Sequence, residues 1–236
     1  MKLKDMDRRF ARRALEPRYG FPEAGELIAR PANTVRRWSL GNKRTYRGTP
    51  TLDSPLIKID GESGRDCVPL SFLNLLELRF LASYREEASL PAIRHALEYA
   101  AEQLGVVRPL LEAEFAIHGK ELFLRYAKEG GEAYFVNASR NGQIAAWPDS
   151  AEYLLESLDY DSQEKAAYRW WPLGKSKPVI LDTRLSGGLP ATASSGVRTS
   201  SIASRARRGW SEEAIASDVA ADLEEVRAAL ELEHAA

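Results

Sequence analysis

Cysteine is nearly absent from this chain: Cys67 stands alone among 236 residues. A single thiol excludes an internal disulfide and a thiolate-rich zinc site, and it fits a reducing cytoplasm. Histidine is also scarce. His95, His118 and His234 lie far apart and have no metal-ligand spacing. No run of eighteen apolar residues exists to span a membrane, and the charged first residues lack the apolar stretch of a secretory signal. There is no Gly-x-Ser-x-Gly elbow and no phosphate-cradling glycine loop ahead of a helix. Cys67 has no evident base beside it, and Asp60, Glu62 and Asp66 fit a glycine-containing loop. These absences point away from catalysis: no catalytic residue, metal ligand or cofactor is expected.

The chain is 44% hydrophobic and 28% charged, ordinary for a globular protein, and its length suits one large domain or two to three small ones. The net charge of −1 conceals a strong asymmetry. Residues 1–48 carry thirteen Lys/Arg against five Asp/Glu, whereas residues 211–236 carry eight Asp/Glu against Arg227 alone. A basic front suggests a nucleic-acid surface, and an acidic rear suggests a different task.

The most informative stretch runs from Tyr19 to Leu40. Pro22 and Pro31 each suit the first turn of a short helix, where a missing N–H does no harm. Glu23 and Glu26 favour the positive end of the first helix dipole. On the second helix Val35 and Trp38 lie three apart and share a face, leaving Asn33, Thr34, Arg36 and Arg37 to look elsewhere. Two short helices with a tight break and an apolar clamp predict a helix-turn-helix, and these four side chains suit phosphates and base edges. The alternative is a helical hairpin with a solvated basic face. Gly41 is placed to end the second helix. Lys43, Arg44 and Arg47 then flank it, in a wing, a loop or a plain linker. Residues 1–18 are basic as well, either an arm on phosphates or a solvated terminus.

Residues 49–68 read as a boundary, with one short strand over Leu56–Ile59. From Ser71 to Ala88 the apolar positions are too many for one stripe, which predicts a well-buried helix. A second helix follows from Pro91 to Leu104, closed by Gly105. Arg79, Arg85, Arg94 and His95 lie on these helices as polar positions, either solvated or a second DNA contact. Strands are expected at 115–117, 122–126, 133–136 and 143–147, with turns at His118-Gly119 and Asn141-Gly142. A helix is expected around Tyr153–Leu158. Trp170 and Trp171 suit a core, an interface or base stacking, ahead of the extended apolar segment Pro178–Leu181. Three short helices close the chain. Ser211 caps the middle one, and Asp222 with Glu225 forms a capping box for the last. The expected fold is α+β and mainly helical. Its parts are a basic arm and helix-turn-helix over 1–48, helices with a small antiparallel sheet over 49–173, and a helix-turn-helix-like three-helix domain over 174–236.

The Tyr19-x-x-x-Glu23-Ala24 opening and Thr34-Val35-Arg36-Arg37-Trp38 resemble the helix-turn-helix of MerR-like regulators. Gly209-Trp210-Ser211-Glu212-Glu213-Ala214-Ile215-Ala216-Ser217-Asp218 and Leu223-Glu224-Glu225-Val226-Arg227-Ala228-Ala229-Leu230 resemble the C-terminal domain found in many VapB-like antitoxins. The first half of that domain, around Gly188–Thr192 and Ser195–Thr199, matches only approximately. The resemblance implies two tasks: neutralising a toxin with a PIN-type ribonuclease fold, and repressing the shared operon by binding duplex DNA as a dimer. Asn33, Thr34, Arg36, Arg37, Lys43, Arg44 and Arg47 are the candidate DNA contacts. Trp210, Glu212, Glu213, Glu224 and Glu225 are candidates for the toxin, with Glu231 and Glu233 as further carboxylates. A MerR-like regulator whose central sheet senses a small ligand is the alternative.

Overall fold

The computed structural model describes residues 9–46, 49–61, 69–112, 115–118, 121–127, 133–138, 143–145, 154–161 and 167–235. The fold is α+β, with helix outweighing strand. The chain forms two compact units, each assembled from separated segments.

The first unit holds Asn33–Ile59 and Asn74–Leu155. It contains most of α3 (Ala32–Leu40), the hairpin of β1 (Asn42–Tyr46) and β2 (Thr49–Asp53), and most of α4 (Phe72–Glu87). It also contains α5 (Leu90–Leu104), α6 (Pro109–Glu112) and the strands β3 (Phe115–His118), β4 (Glu121–Ala127), β5 (Ala133–Asn137) and β6 (Gln143–Ala145). These four strands pair antiparallel in chain order, as the sequence pattern predicts. His118 pairs with Glu121 and Asn137 with Gln143; the turns expected at His118-Gly119 and Asn141-Gly142 fall largely outside the described residues. Helix α4 is apolar on every side because it is buried on nearly every side, including Leu75, Leu76, Leu78, Phe80 and Leu81. Ser89 caps α5 by accepting from the Ala92 N–H, and Gly105 ends it with φ +62°. A buried polar group lies within this core. Glu77 accepts from Arg108 at 2.6 Å and from Asn74 at 2.9 Å, and Asn74 also donates to the Lys58 carbonyl at 2.7 Å.

The expected strand over Leu56–Ile59 does not form. The strand lies earlier, at β2, and Leu56 instead donates its N–H to the Trp38 carbonyl at 2.8 Å. Pro50 sits in β2 because a two-stranded hairpin is all edge, where a missing donor is tolerated.

The second unit holds Met6–Ala32, Asp60–Leu73 and Glu156–Ala236, so residues from the basic front and the acidic rear fold together. It contains α1 (Arg9–Leu15), α2 (Phe21–Leu27), and the strands β7 (Leu158–Tyr160), β8 (Ala167–Trp170), β9 (Val179–Asp182) and β10 (Ala191–Thr192). These strands form an antiparallel sheet in the order β10-β9-β8-β7. The three closing helices are α7 (Thr199–Arg207), α8 (Glu212–Val219) and α9 (Leu223–Ala235). The helix expected around Tyr153–Leu158 is only a 3-10 turn, Leu154–Ser157, before the chain extends into β7; Tyr153 lies outside the described residues. Val179 from β9 packs with Ile202, Ile215, Val226, Ala229 and Leu232 from the helices in one apolar cluster.

Tyr19 of the second unit is fully buried. Its backbone bridges to Leu70, and its phenol donates to the Gly188 carbonyl at 2.6 Å. Arg18 donates to the Gly187 carbonyl at 2.8 Å. A Cβ on Gly188 would lie 2.8 Å from the Tyr19 hydroxyl, and Gly188 has φ +82°, so no larger residue fits there. Burial pushes the Tyr19 phenol well above its ordinary pKa, which keeps it a neutral donor.

Candidate nucleic-acid interface and acidic surface

Helix α2 is entered through Pro22 and left through Ala29, whose φ of +53° reverses the chain before Pro31. Arg30 donates its N–H to the Gly25 carbonyl at 2.8 Å. A Cβ on Gly25 would lie 2.5 Å from the Arg30 carbonyl oxygen, so the tight break depends on that glycine. Helix α3 then buries Val35 and Trp38, as their spacing of three requires. Asn33, Arg36 and Arg37 are exposed, and Thr34 is half-buried. Ser39 is buried rather than displayed.

Gly41, with φ +76°, ends α3 and starts the hairpin. A Cβ there would lie 2.2 Å from the Asp53 carbonyl oxygen, so only glycine lets the two hairpin ends meet. Lys43 pairs with Leu52 and Arg44 with Thr51 across the hairpin. Arg47 lies outside the described residues. The described backbone after α3 is a β-hairpin, the form a wing would take. Cationic positions thus follow one another along α3 and β1 within one unit. A nine-residue helix of this kind is roughly 13 Å long, and an α-helix fits the major groove.

Among the other arginines weighed for DNA, Arg85 donates to the Ala88 carbonyl and Arg79 to Ser83. Arg94 donates to the carbonyls of Ser54 and Pro55. Trp170 is buried in β8 and so belongs to the sheet's packing, whereas Trp171 is half-buried and donates its indole N–H to Asp159 at 2.9 Å.

The acidic candidates separate into surface and interior. Ser211 caps α8 by accepting from the Ala214 N–H. Glu212 and Glu213 follow in the first turn, where the helix dipole favours them. Backbone and Ser211 hydrogen bonding at that helix start holds the Glu213 carboxyl below its usual range. Glu212 pairs with Arg227 at 2.8 Å, Glu231 pairs with Lys177 at 2.8 Å, and Glu224 is exposed. Glu233 accepts from the Thr199 hydroxyl at 2.6 Å. Trp210 is 45% exposed between α7 and α8.

Glu225 departs from the expected surface role, because it is only 2% exposed. One oxygen accepts from the Ser194 and Ser195 N–H groups at 2.7 and 3.1 Å, and the other accepts from Asp222 N–H at 3.3 Å. The last bond is the return half of the expected capping box. Burial alone would raise the Glu225 pKa, but the Ser194 and Ser195 N–H groups outweigh it and hold the carboxyl below its usual range. Sequence reasoning missed the first two bonds because their donors lie about thirty residues away. It also missed Asp182, a buried carboxylate at the end of β9 held by Arg169 and Arg184. A lone Asp closing the apolar run Val179–Leu181 and followed by Arg184 was its only signal.

Two comparisons with known proteins bear on this arrangement. The chain is 24% identical over 225 residues to Putative antitoxin VapB45 of Mycobacterium tuberculosis, covering 91% of this chain and 93% of that one. The chain resembles a VapB antitoxin from end to end. The crystal structure of Rv2018 from Mycobacterium tuberculosis has the same fold, with a TM-score of 0.59 at 18% identity, over 91% of this chain and 98% of that one. No protein-family model matches the chain. No helix among the described residues is long and apolar enough to cross a membrane, and no group of three or more His, Cys, Asp or Glu among them could hold a metal ion.

Proposed function

We propose that this chain is the antitoxin of a type II toxin–antitoxin pair. It binds and neutralises a PIN-type ribonuclease in the cytoplasm, and as a homodimer it represses its own operon. The observation that carries this reading is the likeness to Putative antitoxin VapB45 over nearly the whole of both chains. The geometry supports the DNA part. Helix α3 buries Val35 and Trp38 and exposes Asn33, Arg36 and Arg37, and a hairpin carrying Lys43 and Arg44 follows at once. In this reading α3 is the recognition helix of a MerR-like helix-turn-helix. Arg36 and Arg37 contact base edges or phosphates, while Lys43, Arg44 and Arg47 contact the duplex backbone. The segments 1–48 and 174–236 supply the DNA and toxin contacts.

Toxin binding is assigned to the outer face of α8 and α9, through Trp210, Glu212, Glu213 and Glu224. A ribonuclease binds RNA on a positive surface, which a carboxylate face complements. Glu225 is excluded, since its carboxylate holds the 194–195 turn.

The test is co-expression of the chain with the neighbouring reading frame. A small nuclease that co-purifies with it, and whose toxicity the chain relieves, supports the reading. A chain that captures no nuclease, and whose promoter affinity changes with a small molecule, is a ligand-sensing regulator instead.

A further inference from the structure

The hairpin β1–β2 forms a sheet of its own, and two strands alone are marginally stable in water. Its two ends are nevertheless fixed. Gly41 lets the start and finish approach, and Leu56 returns the chain to the Trp38 carbonyl of α3. The third attachment comes from another element. Arg94 on α5 donates to the Ser54 carbonyl at 2.8 Å and to the Pro55 carbonyl at 3.4 Å, so one guanidinium spans the two residues that leave β2. Helix α5 is a firm support, with fifteen residues, both ends capped, and Ile93, Leu97 and Ala100 buried. A planar fork with several donors suits two successive carbonyls better than a point charge does.

We infer that Arg94 is a positioning residue for DNA binding: it fixes the angle of the hairpin beside α3 without itself touching the duplex. This rests on the reading of α3 and the hairpin as a DNA surface. A hairpin held in place before encounter loses less freedom on binding, so its lysine and arginine contacts yield more affinity. The Arg94 guanidinium already donates to two carbonyls of the hairpin's exit.

The test combines amide hydrogen exchange on the DNA-free chain with binding to its own upstream DNA. Arg94→Ala is expected to speed exchange across residues 42–53 about tenfold, in proportion to the lost anchoring, and to leave α4 unchanged. It is expected to weaken DNA binding about tenfold, roughly 1.4 kcal/mol. Arg94→Lys, which keeps one donor group within reach of the carbonyls, is expected to restore part of both. In a chain already carrying Lys43→Ala, Arg44→Ala and Arg47→Ala, Arg94→Ala is expected to cost almost nothing further, because it acts through the hairpin. An equal loss in both backgrounds would make Arg94 an independent phosphate contact and overturn the inference. Unchanged exchange in 42–53, or faster exchange with undiminished affinity, would overturn it too. Failure of the unaltered chain to bind DNA at low salt would remove the underlying DNA reading, and this inference with it.

Discussion

Helices α3 and α9 share a layout, with one face buried and the other polar, but the charges they display differ. Each is preceded by a residue in the left-handed region, Ala29 ahead of α3 and Ala220 ahead of α9. Each buries apolar residues on its inner side: Val35 and Trp38 in α3, Val226 and Ala229 in α9. The outer faces differ. Helix α3 displays Asn33, Arg36 and Arg37, whereas α9 displays Glu224, Arg227 and Glu231, with Arg227 drawn to Glu212. A duplex repels the second face and attracts the first. In the proposed reading, surface charge is what separates the DNA helix from the toxin-facing one.

The comparison breaks first if the two faces cannot be disabled separately. Arg36→Ala with Arg37→Ala is expected to weaken promoter binding by about a hundredfold or more, at about 1–3 kcal/mol per base contact, with unchanged circular dichroism and full rescue from toxin. Glu213→Lys with Glu224→Lys is expected to do the reverse: rescue fails and promoter binding persists. Loss of both activities in either variant would show that the faces are not separable. Point changes are needed here because removing 200–236 would strip Val179 of its packing.

Next in size is Glu225→Ala, which leaves three N–H donors without their carboxylate. It is expected to cost about 2–4 kcal/mol, read as a lower Tm and denaturant midpoint, and Glu77→Ala should cost about 3–5 kcal/mol by stranding Arg108. The Glu225 and Asp182 carboxyls are both held below their usual ranges in the fold. Their stabilisation is complete above the unfolded carboxyl pKa of about 4 and is lost as pH falls through the folded values. Acid unfolding should therefore begin below about pH 4, and Glu225→Gln should flatten that dependence in pH-resolved melts. The smallest effect is expected from Ser211→Ala, which removes the α8 cap at a cost of about 1 kcal/mol, while Ser211→Asp should restore the melt.

Local signals carried much of this fold. The all-round apolar pattern of α4, Gly105 after α5, the Ser211 cap, the Asp222–Glu225 box and the four strands of the central sheet were legible because each depends on near neighbours. Contacts between distant segments were not. The Tyr19–Gly188 bond spans 169 positions, and nothing near Tyr19 announces a carbonyl that far away. The composition shift at 49–68 concealed β2, whose Pro50 argues against a strand until it is seen to lie in a two-stranded hairpin. At the candidate interface, Arg36 and Arg37 were legible from the Val35–Trp38 spacing. Arg94 was visible only as a polar helix position, since its partners are about forty residues earlier.

The salt dependence of binding to the chain's own upstream DNA tests the central claim most directly. A fluorescence anisotropy series from low to physiological salt should give a steep linear fall of log affinity with log salt, and Arg36→Ala with Arg37→Ala should reduce that slope by about two if both neutralise phosphates. Absence of binding at low salt, or an affinity and a slope both untouched by the double substitution, would contradict the assignment of α3 as the DNA reader.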